Sequence, residues 1–342
     1  MTAWRYGVSV GVSPREPLAE FAKSVTEMER AGFAKVWIID SQLAMKDVYV
    51  AMAVAAMATE RLGIGTGVTN LFTRHPTVTA NAILSIDELS GGRAMLGLGA
   101  GATAADGARL ARGTVAQVAA GVPMLRDLML GREVSTEGGT ARLATGGRQV
   151  PIYIAASQPK MLEMAAQVAD GIILMGAADR GFVDWQMRYV ARGLEAVGRS
   201  RDQLAVDLVV TMSCDADSEL ALDDVRAWAA SQASSFADWR QLPPGYDEFR
   251  DDYSRARQAY DIVEHLSVHA RHRAVVGDGF TQKVAIAGDV SYCISRLRAL
   301  RGCGIDGVIL ALLPRGRRRR VAEFAKDIAP MLEETSPGIE SA

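Results

Sequence analysis

Short apolar segments rich in β-branched residues alternate with helical segments eight times along this chain, and this alternation limits the possible folds more than any other feature. Strands that alternate with helices form right-handed βαβ units, which build a parallel sheet. No change in composition divides the chain, so residues 1–342 are treated as a single domain. Strands are predicted at residues 5–12, 35–39, 151–155, 171–175, 206–214 and 307–312, with two more inside residues 62–101.

Eight strands predict an α/β fold of the (β/α)8 TIM-barrel type, with insertions after strands four and seven. A doubly wound open sheet is the alternative, because counting strands does not show whether a sheet closes. Residues 103–113 are predicted to be a loop, and residues 134–148 a surface hairpin. Helices are predicted near residues 18–32, 47–59, 76–90, 115–131, 159–169, 182–197, 219–231, 252–272, 289–302 and 321–332.

Composition and charge exclude several classes of protein. Apolar residues make up 49% of the chain, which is enough for a large core, and the net charge of -2 gives no reason to expect nucleic acid or a membrane as partner. The three cysteines have no CxxC spacing, which argues against a disulfide framework or a zinc site. No segment reaches 18 uncharged apolar residues. We therefore expect a cytoplasmic protein that acts on a small molecule.

The helix at residues 47–59 is apolar on nearly every face. A helix of this kind is buried on every side, whereas the outer helices of a barrel have one free side. We interpret it as a subunit contact and expect a homodimer. Cover by a long loop is the alternative.

In a barrel, functional groups lie where the strands end at their carboxyl side. Those positions contain no histidine and no glutamate, and Asp40 is their one aspartate. A hydrolase needs a nucleophile with a base, or a metal cage, and neither can be assembled from them. His265 and His269 have i, i+4 spacing but no further ligands, so no metal is expected. The positions are residues 9–13, 40–42, 66–70, 97–101, 155–158, 175–177, 214 and the first few residues from 314 onward.

These strand ends are instead rich in glycine and other small residues. Glycine at the end of a strand marks a bulge or a close approach of the main chain to a ligand. Such a site suits a large flat cofactor that carries its own chemistry. The helix that begins at Pro159 has free N–H groups that suit a phosphate, although a well-capped helix would look the same. The basic run at residues 315–320 is either a second phosphate site or a solvated helix face.

Residues 47–101, which include TGVTN and DELSGGRAMLGLGAG, resemble the luciferase-like oxidoreductases. Within that superfamily they resemble the methylenetetrahydromethanopterin reductases that use the deazaflavin coenzyme F420. The similarity continues through residues 150–176 and 288–310, so it extends over most of the chain. The combination is specific to the superfamily and less specific to one substrate.

The resemblance implies a barrel that binds F420 at the carboxyl ends of its strands and transfers a hydride at C5 of the deazaflavin. It places a cis non-prolyl peptide between Gly67 and Val68, behind the ring, with Thr69 and Asn70 beside it. Gly99 and Gly101 would contact the cofactor tail. The remaining cofactor residues, expected at the phosphate, are Ala156, Ser157, Gln158, Gly176 and Ala177.

The chain departs from the methanopterin reductases at three positions expected to face substrate. Ser9, Ser41 and Ala102 replace an acidic residue, a histidine and an aspartate of that family. We therefore expect the cofactor to be kept and the pterin substrate to be lost. Asp40 is expected to orient substrate or relay a proton, with Ser41 and Gln42 as hydrogen-bond donors, although Asp40 could instead cap a turn.

Two further functions compete with an F420-dependent reductase. An FMN-dependent monooxygenase of the same fold would place FMN in the same site and consume oxygen. A protein that binds a flavin or deazaflavin without catalysis would also explain why the strand ends have so few reactive side chains.

Overall fold

The computed structural model describes residues 4–136, 138–261, 270–312 and 316–333, and its main sheet is a parallel barrel. The eight barrel strands are β1 (Arg5–Val10), β2 (Lys35–Ile38), β3 (Gly63–Thr66), β4 (Ala94–Leu98), β7 (Ile152–Ala156), β8 (Gly171–Leu174), β9 (Ala205–Cys214) and β11 (Gly307–Leu312). Pairing runs from β1 through β2, β3, β4, β7, β8, β9 and β11 and returns to β1. Because the ring closes, the (β/α)8 prediction is confirmed and the open sheet is ruled out.

Helices follow the barrel strands and cover the outside of the barrel. No helix in the described ranges is long and apolar enough to cross a bilayer. The helices are α1 (Leu18–Arg30), α2 (Val48–Ala58), α3 (Pro76–Ser90), α4 (Ala102–Gly107), α5 (Val115–Met129), α6 (Pro159–Val168), α7 (Arg180–Ala196), α8 (Ser218–Phe236), α9 (Arg250–Ala259), α10 (Asp278–Val284), α11 (Val290–Arg301), α12 (Arg317–Glu323) and α13 (Ala329–Glu333). A π-helical turn at Phe324–Ile328 joins the last two.

Longer segments follow β4 and β9. After β4 come α4, α5 and an antiparallel hairpin of β5 (Val134–Thr136) and β6 (Gly139–Ala141). After β9 come α8, α9, α10, the short strand β10 (Ile286–Gly288) beside β9, and α11. The sequence prediction of a loop at residues 103–113 was wrong in its first part, because the alanine-rich start forms α4. The helix predicted over residues 252–272 ends at Ala259, and residues 262–269 lie outside the described ranges.

The barrel interior is filled in layers. At the amino ends of the strands, the Lys35 ammonium lies 2.6 Å from the Asp207 carboxylate, and both side chains are less than one-tenth exposed. Above this pair, the Trp37 indole packs edge-on against the Tyr153 ring at 5.0 Å. A Cβ at Gly65 would lie 2.5 Å from that indole, so glycine is needed there to make room for Trp37. These layers fill the lower part of the barrel, and a cavity opens above them at the carboxyl end.

A second apolar cluster holds the long segment after β9 against α7. Phe182 of α7 stacks on Phe236 of α8 with ring centroids 5.7 Å apart, and Tyr246, Tyr253 and Phe280 pack around them. Aromatic pairs of this geometry add to the free energy gained by burial. The cluster fixes α8 at the carboxyl end of the barrel.

Helix α2 is more exposed than the sequence predicts. Asp47 caps it by accepting hydrogen bonds from the N–H groups of Tyr49 and Val50. One face packs into the barrel core, but Val50 is 50% and Met57 78% exposed. No described segment of the chain covers these two side chains, so the loop alternative is not found there, and the expected subunit contact stays a prediction.

Candidate active site

A cavity of about 270 Å³ opens at the carboxyl ends of the barrel strands. Parallel barrels place their functional sites at this end, and the layers around Trp37 close the cavity from below. Every barrel strand or the segment that follows it contributes at least one described residue to the lining, and most of them come from β2 and from the segments after β3 and β4. The lining consists of Ser9, Trp37, Ile39, Asp40, Ser41, Gly67, Val68, Asn70, Gly99, Ala100, Gly101, Ala104, Ala155, Ile173, Met175, Val209, Trp228 and Ile309.

A bulge after β3 forms one wall of the cavity. The peptide bond between Gly67 and Val68 is cis, at the position that the sequence resemblance indicated. The chain then returns to β4, where the Thr69 N–H donates to the Gly97 carbonyl and the Gly99 N–H donates to the Thr69 carbonyl, each at 2.9 Å. A Cβ at Gly99 would lie 2.8 Å from a methyl group of Val68. This wall is therefore main chain, without room for a side chain at position 99.

Asn70 lines the cavity and has a side-chain donor without a partner among the described residues. Its Oδ1 accepts hydrogen bonds from the Phe72 and Thr73 N–H groups, each at 2.9 Å. Its Nδ2 is buried and has no hydrogen-bond partner among the described residues. Because a buried amide N–H without a partner costs about 1–3 kcal/mol, this atom is suited to an acceptor on a bound molecule.

Asp40 lies at the edge of the cavity, and its charge is already balanced. The carboxylate is 2% exposed, and its Oδ2 accepts hydrogen bonds from the Thr69 hydroxyl at 2.6 Å and from the Arg74 guanidinium. The other arm of Arg74 contacts the Asp47 carboxylate at 3.0 Å. Asp40 is thus one member of a network that joins β2 to the segment after β3.

Electrostatics agree with this arrangement of Arg74. Burial acts to lower the pKa of the guanidinium, but the hydrogen bonds and charges of Asp40 and Asp47 raise it above its usual value. The guanidinium also lies over the Tyr49 ring, 5.3 Å from its centroid. Burial raises the pKa of Tyr49 to about 12. Arg74 therefore stays charged and is fully engaged by protein groups.

The structure places Ser41 and the three predicted substrate residues, Ser9, Gln42 and Ala102, in different surroundings. Ser9 and Ser41 line the cavity, and neither hydroxyl makes a hydrogen bond with a described residue. Gln42 is exposed, and its Nε2 donates to the Ala104 carbonyl at 3.0 Å, so it ties β2 to α4 outside the lining. Ala102 is the first residue of α4.

Five of the predicted cofactor residues lie beside the cavity rather than in its lining. The Ala156 and Ala177 side chains are packed in the two apolar cores, so only their main chains could reach a ligand. Ser157 and Gln158 precede α6, and the buried Nε2 of Gln158 has no partner among the described residues. Gly176 has a φ of 140°, and a Cβ there would lie 2.5 Å from the Phe182 ring.

Sequence reasoning missed several cavity residues. Trp37 and Met175 follow from inward-facing strand positions once the register is known. Trp228 comes from α8, far from any strand end, and nothing in its local sequence marks it. Arg74 does not line the cavity, but it is the cationic residue nearest in sequence to the TGVTN motif, and this proximity could have pointed to it as a partner of the site. The remaining predicted residue, Thr69, is fully buried behind the wall and supports Asp40.

The basic run is engaged by carboxylates. In the described part of the run, Arg317, Arg318, Arg319 and Arg320 each contact an acidic side chain. This arrangement argues against a phosphate site for these four residues; Arg318 and Arg319 lie on an exposed helix face as the alternative predicted, whereas Arg317 and Arg320 are largely buried. Within the described ranges no group of three or more potential ligands could hold a metal ion, and His265 and His269 lie outside those ranges.

Comparisons with known proteins agree with this fold. Residues 1–307 match the family model described as luciferase-like monooxygenase. A 5,10-methylenetetrahydromethanopterin reductase of Methanolobus tindarius is 34% identical over 304 residues, which cover 86% of this chain and 91% of that protein. An F420-dependent glucose-6-phosphate dehydrogenase of Nocardia farcinica is 27% identical, with 82% of each chain covered.

A solved structure shows the same fold. The coenzyme F420-dependent tetrahydromethanopterin reductase from Methanopyrus kandleri superposes with a TM-score of 0.79 over 97% of this chain and 100% of that one, at 21% identity. The resemblance read from the sequence is therefore confirmed at the level of the family. The chain is an enzyme of the luciferase-like monooxygenase family, to which its sequence assigns it.

Proposed function

We propose that this enzyme is a coenzyme F420-dependent oxidoreductase that acts on a C=N, C=C or C=O bond, or on the corresponding reduced bond, of an organic substrate other than methylenetetrahydromethanopterin. The observation that carries the proposal is the cavity itself, whose wall after β3 and β4 is main chain and whose lining offers no catalytic acid–base pair among the described residues. The named relatives that use F420 support the choice of cofactor.

The residues present fit a flat deazaflavin ring. Gly99 and Gly101 line the cavity and present main chain without a side chain, so a planar group could lie close to them. The unpartnered Nδ2 of Asn70 is a donor for a ring or ribityl oxygen. When bound, the deazaflavin would supply or accept a hydride at C5.

The chain's own residues would hold and orient the reactants. Trp37, Ile173 and Ile309 form an apolar floor that excludes water, which strengthens polar interactions in the site. The network of Asp40, Thr69 and Arg74 fixes the wall after β3 against β2. Orientation and exclusion of water would thus supply most of the catalysis.

Loss of the pterin substrate is inferred from Ser9 and Ser41. Both side chains line the cavity at positions where the pterin reductases are expected to have ionisable groups. A pterin held by a carboxylate and an imidazole would meet only hydroxyls at these two positions.

Titration with cofactors tests the proposal. Purified protein is titrated separately with F420 and with FMN, and binding is followed by the absorbance and fluorescence of each cofactor. We expect tight binding of F420. Tight binding of FMN without F420 binding, together with oxygen consumption, would instead support a monooxygenase, the activity in the family's description.

A matched pair of variants tests the site. Asn70→Asp keeps the acceptor that holds the Phe72 and Thr73 N–H groups and replaces only the donor Nδ2. We expect it to weaken F420 binding about 10-fold or more, since a charged or hydroxyl-bearing group replaces a needed donor. Asn81→Asp, on the exposed face of α3, is the control. Equal affinity of the two variants for F420 would remove Asn70 from the cofactor site.

A further inference from the structure

The cavity lining carries almost no charge. Apart from the indole N–H groups, its described polar side chains are Ser9, Asp40, Ser41 and Asn70. No lysine, arginine or histidine belongs to the described lining. The other lining residues offer aliphatic or aromatic surface, or main chain, to whatever binds there.

Arg74, which contacts the lining residue Asp40, is engaged by protein groups. Arg74 is bound by Asp40 on one side and by Asp47 on the other, and its side chain is only 17% exposed. A phosphate or carboxylate on a substrate would have to displace Asp40 to reach the guanidinium. Among the described residues, no other cation lines the cavity to balance an anion, and removing an anion from water without a counterion is strongly unfavourable.

Neutral hydrogen-bonding groups are free in the same cavity. The hydroxyls of Ser9 and Ser41 have no hydrogen-bond partner among the described residues. Ser41 is only 6% exposed. A hydroxyl can donate to a carbonyl or imine and accept from an alcohol. Each of these residues lines the cavity and can offer a hydrogen bond to a neutral polar group there.

We propose that the substrate of this site is a small uncharged molecule, apolar apart from one carbonyl, imine or hydroxyl group that the Ser9 and Ser41 hydroxyls hold. The inference rests on the proposed function and narrows it to a substrate class without phosphate or carboxylate. In the reduction of such a ketone, the carbonyl gains a hydride at carbon and a proton at oxygen. The reduced deazaflavin loses both, so two electrons and two hydrogens balance.

Binding of matched neutral and anionic ketones tests the inference. The pairs are cyclohexanone with 4-oxocyclohexanecarboxylate, and butanone with levulinate. Affinities for the protein with bound F420 are measured by quenching of the deazaflavin fluorescence, and reoxidation of reduced F420 gives the turnover of each ketone. We expect each neutral ketone to bind about 100-fold more tightly than its anionic partner. Equal or tighter binding of the anions, or no binding of either neutral ketone at millimolar concentration, would overturn the proposal.

Two variants at Met175 test whether the lack of positive charge in the cavity causes the preference for neutral ketones. Met175 lines the cavity at the end of β8, so Met175→Lys adds a cation there, while Met175→Leu changes the shape without charge. We expect the preference for the neutral ketone to fall about 10-fold or more in Met175→Lys relative to Met175→Leu. The same preference in both variants would contradict the charge argument.

Failure of this inference can be told apart from failure of the proposed function. The ketone titrations are repeated without cofactor, with tryptophan fluorescence as the signal, because Trp37 and Trp228 both line the cavity. Absence of F420 binding refutes the proposed function. Binding of F420 combined with a preference for anionic ketones refutes only the inference about the substrate.

Discussion

Arg74 offers a test of how burial sets the strength of an ion pair, because it contacts two aspartates in different surroundings. The Asp40 side chain is 2% exposed and the Asp47 side chain 48% exposed, yet both contact the same guanidinium. The perturbation is to replace each in turn, as Asp40→Asn and Asp47→Asn. Both changes keep the size of the side chain and remove one negative charge.

The structure predicts unequal costs. Breaking a buried pair costs about 3–5 kcal/mol, but Arg74 is partly exposed and keeps Asp47, so we expect Asp40→Asn to lower the free energy of unfolding by about 2–3 kcal/mol. Asp47 also caps α2, and asparagine caps a helix equally well. Asp47→Asn therefore loses only an exposed ion pair, and we expect a cost below about 1 kcal/mol.

Urea denaturation measures both costs as shifts of the midpoint at unchanged slope. If the two variants are equally stable, or if Asp40→Asn is as stable as the parent, the reasoning from burial is refuted. Turnover supplies a second readout. Unchanged turnover of Asp40→Asn with an authentic substrate would remove Asp40 from the mechanism and leave it the structural role that its contacts with Thr69 and Arg74 describe.

Three other regions give further predictions. Lys35→Met leaves Asp207 buried without its cation and should lower the free energy of unfolding, measured by urea denaturation, by about 3–5 kcal/mol. The double variant Lys35→Met with Asp207→Leu should recover most of that stability. A double variant no more stable than the single one would contradict this expectation. If the exposed apolar face of α2 joins two subunits, Met57→Glu should convert a dimer to a monomer in sedimentation measurements, and a monomeric parent protein would disprove the expectation. Burial raises the pKa values of Tyr6 and Tyr49 to about 12. The unfolded chain loses these protons near pH 10 while the folded chain keeps them, so the free energy of unfolding should fall as pH rises from about 10 to about 12; Tyr49→Phe should fall less steeply, and a flat pH profile would show that neither tyrosine titrates abnormally.

The strand-end glycines illustrate both the strength and the limit of sequence reasoning. Their position correctly indicated that another group lies close to the main chain, but it did not show whether that group belongs to the protein or to a ligand. Gly65 and Gly97 leave room for neighbouring protein groups, the Trp37 indole and the Thr66 carbonyl respectively, while Gly99 and Gly101 line the cavity. A missing side chain shows that space is needed, and only the packed neighbours show whether protein or ligand fills it.

The sequence by itself determined the alternation of strands and helices, the parallel sheet and the end of the strands where a ligand would bind, but not the closure of the sheet. It could do so because burial on both faces of a parallel strand, and helical periodicity between strands, are local properties that each segment carries in its own residues. It also indicated the main-chain character of the site, since glycine at residues 97–101 is visible without any partner.

Only the tertiary structure decided which groups meet. Arg74 reaches Asp40 across 34 residues, and Trp228 reaches the cavity from a helix packed on a separate aromatic cluster. Helix α2 keeps Met57 exposed although its composition predicts burial on every side. Such pairings depend on how the ring closes and where the long segments fold back, which are non-local contacts that no window of the sequence contains.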